Sequence, residues 1–206
     1  MNTAVQFNAQ ARSDFGKGRS RALRTQGKVP SVMYGANREP IHFSLEEKEI
    51  KREYFKGGFY AKLVDITIDG TTYKGVPQDL QLHPVNEKVL HADFIAVEEG
   101  AEVKVSVPVK FTNYERCIGI KRGGALNVVR YDVELICEQD KIPSGIEVDL
   151  STLNIGDSVH ISSVALPEGS RSAIDRDFTI AAVAGRVSKT AREAEAGDTA
   201  EGETEE

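Results

Sequence analysis

The strictest pattern in the chain is an alternation. Val103, Val105, Val107, Val109 and Phe111 are separated by Glu102, Lys104, Ser106, Pro108 and Lys110. Successive strand side chains point to opposite faces, so this period of two predicts a half-buried β-strand. Pro108 has no N–H to give to a neighbour, which predicts a sheet edge. Shorter runs of the same kind fall at Val5–Ala9, Val29–Tyr34, Ile41–Leu45, Val64–Ile68 and Val89–Ile95. Others follow at Leu126–Cys137, Ile146–Leu150, Val159–Val164 and Phe178–Val183. Asp69-Gly70 after Ile68 is a hairpin signal, because both residues tolerate positive φ, and Thr71–Val76 is the returning strand. Turns are expected at Gly35–Arg38 and Val85–Lys88.

Helical signals are few and short. One helix is expected from about Ser20 to Gln26, stopped by Gly27. A second is expected from Glu46 to Lys56, with Ser44 and Glu47 as a capping box and Gly57-Gly58 as its stop. No strand–helix–strand rhythm accompanies them. The expected fold is therefore mainly β: an N-terminal small β-barrel with two short helices over 1–97, a second β-rich domain over 98–188, and a disordered acidic tail over 189–206.

The net charge of −6 is spread unevenly. Residues 1–95 hold 14 basic against 11 acidic side chains, residues 96–190 hold 11 against 14, and residues 191–206 hold 1 against 7. A screened tail does little to oppose a local basic field, so nucleic acid stays open as a partner of the first segment. The tail lacks large apolar residues and cannot offset its ordering entropy; it solubilises the chain or meets a basic partner. No window is apolar enough to span a bilayer. Met1–Val5 has neither a basic nor an apolar leader region, so a cytoplasmic protein is expected. Cys117 and Cys137 show no metal-binding spacing and are expected as reduced thiols.

The segment Arg12–Lys28 concentrates Arg12, Lys17, Arg19, Arg21, Arg24 and Lys28 against Asp14 alone. Gly16 and Gly18 let the backbone approach an anion, and a helix starting there aims free N–H groups at it. Arginine adds a planar fork that bonds phosphate in pairs and stacks on bases. The rival reading is a solvated basic face. The Gly-x-Gly element lacks the spacing of either nucleotide-binding loop.

Further along, His91 and Asp93 share one face of a strand. The pair can read base edges or 2′-hydroxyls. It also suits a structural hydrogen bond, a catalytic pair, or a metal site with His83. No fourth ligand and no nucleophile motif accompanies them, so no metal and no catalytic residue is expected. Tyr34 offers a ring or hydroxyl to a nucleotide, or serves as a rim tyrosine. His42 and His160 read as ordinary histidines, and Lys121–Gly124 as a basic loop tip.

Gly16–Arg24, Gly27–Pro30 and Tyr34-Gly35, followed by Asp79–Pro84 and Leu90–Phe94, resemble the opening and closing signatures of the Ctc-type (general stress protein) large-subunit ribosomal protein in its long, two-domain form. The resemblance is specific over about residues 4–97. It implies a barrel that docks on 5S ribosomal RNA, in the cytoplasm, with no enzyme activity and no cofactor. It places RNA contacts on Arg12, Lys17, Ser20, Arg21, Arg24, Tyr34, Gln78, His91 and Asp93. Ala22 stands where relatives often have arginine, and Arg19 where they often have a small residue. For the second domain it implies neighbouring ribosomal proteins or 23S RNA as partners. Two alternatives stand beside it: a module for another structured RNA such as tRNA, and a protein-binding scaffold in the second domain. A small enzyme built on His91 and Asp93 is the remaining rival.

Overall fold

The computed structural model describes residues 5–35, 38–98, 100–167 and 169–185. The acidic tail expected over 189–206 and the tip of the turn after Gly35 lie outside them. Two compact units separate, one within Met1–Lys110, Asp132–Ile146 and Ala165–Arg176, the other within Phe111–Tyr131, Glu147–Val164 and Asp177–Glu206.

Six strands form a closed barrel: β1 (Val5–Ala11), β2 (Lys28–Gly35), β3 (Arg38–Glu46), β4 (Val64–Ile68), β5 (Thr71–Leu82) and β6 (Val89–Ala96), in the order β1-β3-β2-β6-β5-β4. Two of its seams are parallel. Val5 to Ala9 of β1 run beside Val64 to Ile68 of β4, and Ser31 to Tyr34 of β2 beside Ala92 to Ile95 of β6. Closure leaves no sheet edge to protect. The alternating apolar residues turn inward as their period requires: Phe7, Val29, Met33, Phe43, Leu45, Val64, Ile66, Ala92 and Phe94 are buried. The Phe43 and Phe94 rings lie 6.0 Å apart at the centre. Asp69 (φ 47°) and Gly70 (φ 88°) make the expected hairpin turn.

Helix α1 (Lys17–Thr25) packs on β2, and α2 (Glu47–Phe55) follows β3. Helix α1 starts three residues earlier than its sequence signals predict, so Gly18 is helical rather than part of a loop. The capping box does not form. Ser44 is a buried strand residue paired with Gln10 and Pro30, and the first N–H of α2, from Glu47, donates instead to the Gly27 carbonyl at 3.0 Å. Ile50 is fully buried in the barrel core, a burial that stabilises by roughly 1.5–3 kcal/mol. Tyr54, Phe59 and Tyr60 stack edge to face behind it. Burial pushes the Tyr60 hydroxyl up to about 12.

Beyond the barrel, β7 (Glu102–Thr112), β9 (Asp132–Glu138), β10 (Ile146–Asp149) and β12 (Ser170–Ser172) form a sheet in the order β10-β7-β9-β12. This corrects the edge position expected for Pro108: β7 is an inner strand, and Pro108 stands where β9 begins, opposite Asp132. A smaller sheet takes β8 (Ala125–Val128), β11 (Ser158–His160) and β13 (Thr179–Ala184) in the order β11-β13-β8. The run Leu126–Cys137, expected as one strand, is two strands in different sheets, because Val129 and Arg130 both turn their N–H groups to the Ile180 carbonyl. Helix α3 (Ile118–Lys121) is a single turn. Cys117 and Cys137 are both buried and free, and burial raises the Cys137 thiol.

Candidate RNA-binding face

Helix α1 has no buried residue and no side-chain cap; Gly16, at φ 109°, leads into it. At 100° per residue, Lys17, Ser20, Arg21 and Arg24 fall on one face. Arg19, Ala22, Leu23 and Gln26 fall on the other, and they line a hollow of about 340 Å³ with Gln10 to Asp14 of the preceding strand and loop. The two departures from the family's pattern, Arg19 and Ala22, thus border this hollow, and both are exposed. Arg19 pairs with Asp14 there. Lys17 and Arg21 are exposed, and among the described residues their side chains have no ion-pair partner.

Arg24 acts as a strut. Its Nε donates to the Leu90 carbonyl at 2.9 Å. This bond brings the end of α1 to the start of β6, one residue before His91. Along β6 the outward positions are His91 and Asp93, whose Nδ1 and Oδ1 are in contact, with the two side chains 25% and 26% exposed. A neutral imidazole that donates Nδ1–H to Asp93 presents Nε2 as an acceptor. Val32 of β2 lies beside Asp93, and Tyr34 beside Ile95. The Tyr34 hydroxyl is pushed up by burial first, then by the charges of Asp93 and Asp79. It therefore stays a neutral donor beside two carboxylates.

Asp79 is the member of this group that the sequence did not nominate. Cross-strand register sets Asp79 opposite Asp93 and Gln81 opposite His91. The pairing skips Gln78, which sits exposed in a bulge between Pro77 and Asp79. The missed signal was there: once β5 is extended through Leu82, alternation puts residues 79 and 81 outside. A bulge that re-aims one side chain next to a site is a common device.

Arg12 lies apart from this group. It shares the hollow under α1, with its guanidinium 5.6 Å from the Phe15 ring, and Phe15 packs edge-on to His42 at 4.8 Å. Its Nε and Nη1 are buried without a hydrogen-bond partner. Unmatched guanidinium donors are costly to bury, which suits a cation that waits for an anion. Its neighbours here are the loop and the far side of α1.

The matches to known proteins fall on these same elements. The Ribosomal L25p family matches residues 7–94, and the C-terminal domain of ribosomal protein TL5 matches residues 102–186. The large ribosomal subunit protein bL25 of Erythrobacter litoralis is 50% identical over 182 residues, 88% of this chain and 80% of its own length. Those of Novosphingobium aromaticivorans and Rhizobium meliloti are each 43% identical over the full length of both chains. The chain belongs to the bL25 family. The L25p match spans both the α1 face and the wall carrying Tyr34, Asp79, His91 and Asp93, so the bL25 likeness and the clustered side chains coincide.

Among the described residues no group of three or more His, Cys, Asp or Glu side chains could hold a metal ion, and no helix is long and apolar enough to cross a membrane. Ser158 Oγ lies 2.9 Å from His160 Nε2, and Asp177 is 3.7 Å from His160 Nδ1. That order resembles an acyl-transfer triad in composition. However, 3.7 Å exceeds hydrogen-bond reach, and the Asp177 carboxylate already accepts from the Ser162 N–H and hydroxyl, so it does not orient the imidazole.

Proposed function

We propose that the chain is a structural constituent of the large ribosomal subunit, works in the cytoplasm on the ribosome, and holds 5S ribosomal RNA through its barrel. Lys17, Ser20 and Arg21 meet phosphates, with Arg24 bracing the helix and Arg12 taking an anion under it. Tyr34, His91, Asp93 and the bulge residue Gln78 meet base edges and 2′-hydroxyls, and Asp79 joins them. The observation that carries this reading is the Arg24–Leu90 bond, which makes one continuous surface of a cationic helix and an acidic strand wall.

The two halves divide the work by charge. Carboxylates repel phosphates, so Asp79 and Asp93 favour the amino donors of bases and ribose hydroxyls. The cations supply affinity through counterion release. In this reading His91 and Asp93 recognise rather than catalyse. For the elements beyond the barrel, within residues 98–188, the partners we assign are ribosomal proteins or 23S RNA.

The test is binding of the full chain to 5S RNA, with tRNA as competitor, over a range of salt. Three neutralised phosphates, at Lys17, Arg21 and Arg12, give a slope of log K against log salt of roughly −2.1 to −2.7. Binding that survives excess tRNA supports the reading. Equal competition by tRNA would leave a general RNA-binding module, and loss of RNA binding altogether would leave the scaffold alternative.

A further inference from the structure

A second basic surface lies on α2 and shares no residue with the face described above. The helix turns Ile50 and Tyr54 toward the barrel core. Its other side carries Lys48, Lys51, Arg52, Phe55 and Lys56, which line a shallow, open hollow of about 530 Å³. Their spacing of i, i+3, i+4, i+7 and i+8 makes a single stripe. Phe55 is 59% exposed at its middle, with Lys51 Nζ 5.6 Å from the ring centroid.

Little among the described residues ties this stripe down. Glu53 takes up Lys56, and Lys62 at 3.6 Å. Among the described residues, the side chains of Lys48 and Arg52 have no hydrogen-bond or ion-pair partner. Like charges at i, i+3 and i, i+4 weaken a helix, and Lys48/Lys51, Lys48/Arg52 and Arg52/Lys56 are all such pairs. An exposed phenylalanine contributes little to the core.

We infer that the α2 stripe binds an unpaired RNA strand, with phosphates on Lys48, Lys51 and Arg52 and a base stacked on Phe55. Cations beside an uncovered aromatic ring are what single strands use: the backbone follows the charges and a base covers the ring. The Arg52 side chain adds the planar fork suited to phosphate. An acidic peptide would meet the cations and leave the ring uncovered. This surface is on a different helix from the proposed 5S RNA face, and the inference does not depend on that reading.

The test uses the full chain and a fluorescent 20-nucleotide oligouridylate, followed by anisotropy at several salt concentrations. The double variant Lys48→Glu/Arg52→Glu is expected to bind at least tenfold more weakly. Its salt slope should be shallower by about 1.4, since each single-strand phosphate contributes about 0.7. Phe55→Ala is expected to lose about five- to hundredfold. All these positions are solvent-facing, and far-ultraviolet circular dichroism checks the fold. Arg21→Ala on α1 is expected to leave most oligouridylate binding in place, while the α2 variants leave 5S RNA binding in place. The 5S reading can therefore fail without touching this one. No oligouridylate binding by the natural chain, unchanged binding by both α2 variants, or loss confined to Arg21→Ala would overturn the inference. So would a benzophenone side chain at position 55 that cross-links in ribosomes to protein rather than to RNA.

Discussion

Asp79 and Asp93 face each other across β5 and β6, an arrangement that opposes folding, since like charges directly across a ladder repel. Asp79 Oδ1 accepts the Leu80 N–H at 2.9 Å, a bond that asparagine can keep. Asp79→Asn is therefore expected to raise thermal stability, by up to about 1 kcal/mol, while reducing the preference for 5S RNA over tRNA. A melting curve and a competition titration on the same sample check both halves; a destabilised variant would show that the carboxylates are not in conflict. Tyr34→Phe keeps the ring and removes a donor held neutral beside those carboxylates. It should weaken cognate binding by about tenfold, the worth of one hydrogen bond near 1–1.5 kcal/mol, with little change in melting temperature. Arg21→Ala should weaken 5S RNA and its scrambled counterpart alike, whereas Asp93→Ala should mainly erode discrimination between the two. Equal losses on cognate and scrambled RNA for both variants would defeat that division of labour.

At the scale of elements, α2 and β5 carry the tightest constraints. The hydrogen bond from Lys56 holds the Glu53 carboxyl below the usual carboxylate range, against the opposing effect of burial. A lowered carboxyl contributes stability that is full above its unfolded value and is lost as the pH falls through the folded one. Glu53→Gln should thus melt earlier than the natural chain at pH 7, with the two curves converging as the pH falls below the usual carboxylate range; a constant gap throughout would place the effect elsewhere. Gly75 in β5 has ordinary φ but no room: a Cβ there would sit 2.9 Å from the Ile95 carbonyl and 3.1 Å from Met33 Cε. Gly75→Ala should cost about 1–3 kcal/mol by overpacking, read by denaturant unfolding. These two elements also show where sequence reading stops. Period-two alternation and Asp69-Gly70 made β1, β4 and the hairpin legible, and the run of basic residues over Arg12–Lys28 marked the α1 region, but Lys17 was expected in the loop, so its place on the helical face with Ser20, Arg21 and Arg24 was not legible. The second half of β5 was hidden because the Gln78 bulge breaks the alternation, which also hid Asp79. Ser44 has the right spacing for a cap, but a strand pairing outbids a local side-chain bond. The break between β8 and β9 depends on the distant Ile180 carbonyl, which no local pattern encodes.

For the whole molecule, the cationic α1 face, the acidic strand wall and the family matches agree on one barrel, and residues 1–97 alone are expected to unfold cooperatively and retain the RNA preference. A broad, non-cooperative transition for that fragment would mean that the barrel leans on later residues. The parallel seams have a consequence in time. Strand β2 is synthesised early, yet its partner along Ser31–Tyr34 is β6, whose pairing residues Ala92–Ile95 come some sixty positions later. Such long-range pairing forms late, because the intervening chain must first be drawn together. Tyr34 and Asp93 belong to the two sides of that last seam. In the proposed RNA-binding role, a nascent chain leaving the ribosome can expose the basic helix as soon as it is made, but it acquires the strand wall only when the barrel shuts, so grip would precede judgement during biosynthesis and the finished domain would be the first species able to choose its RNA.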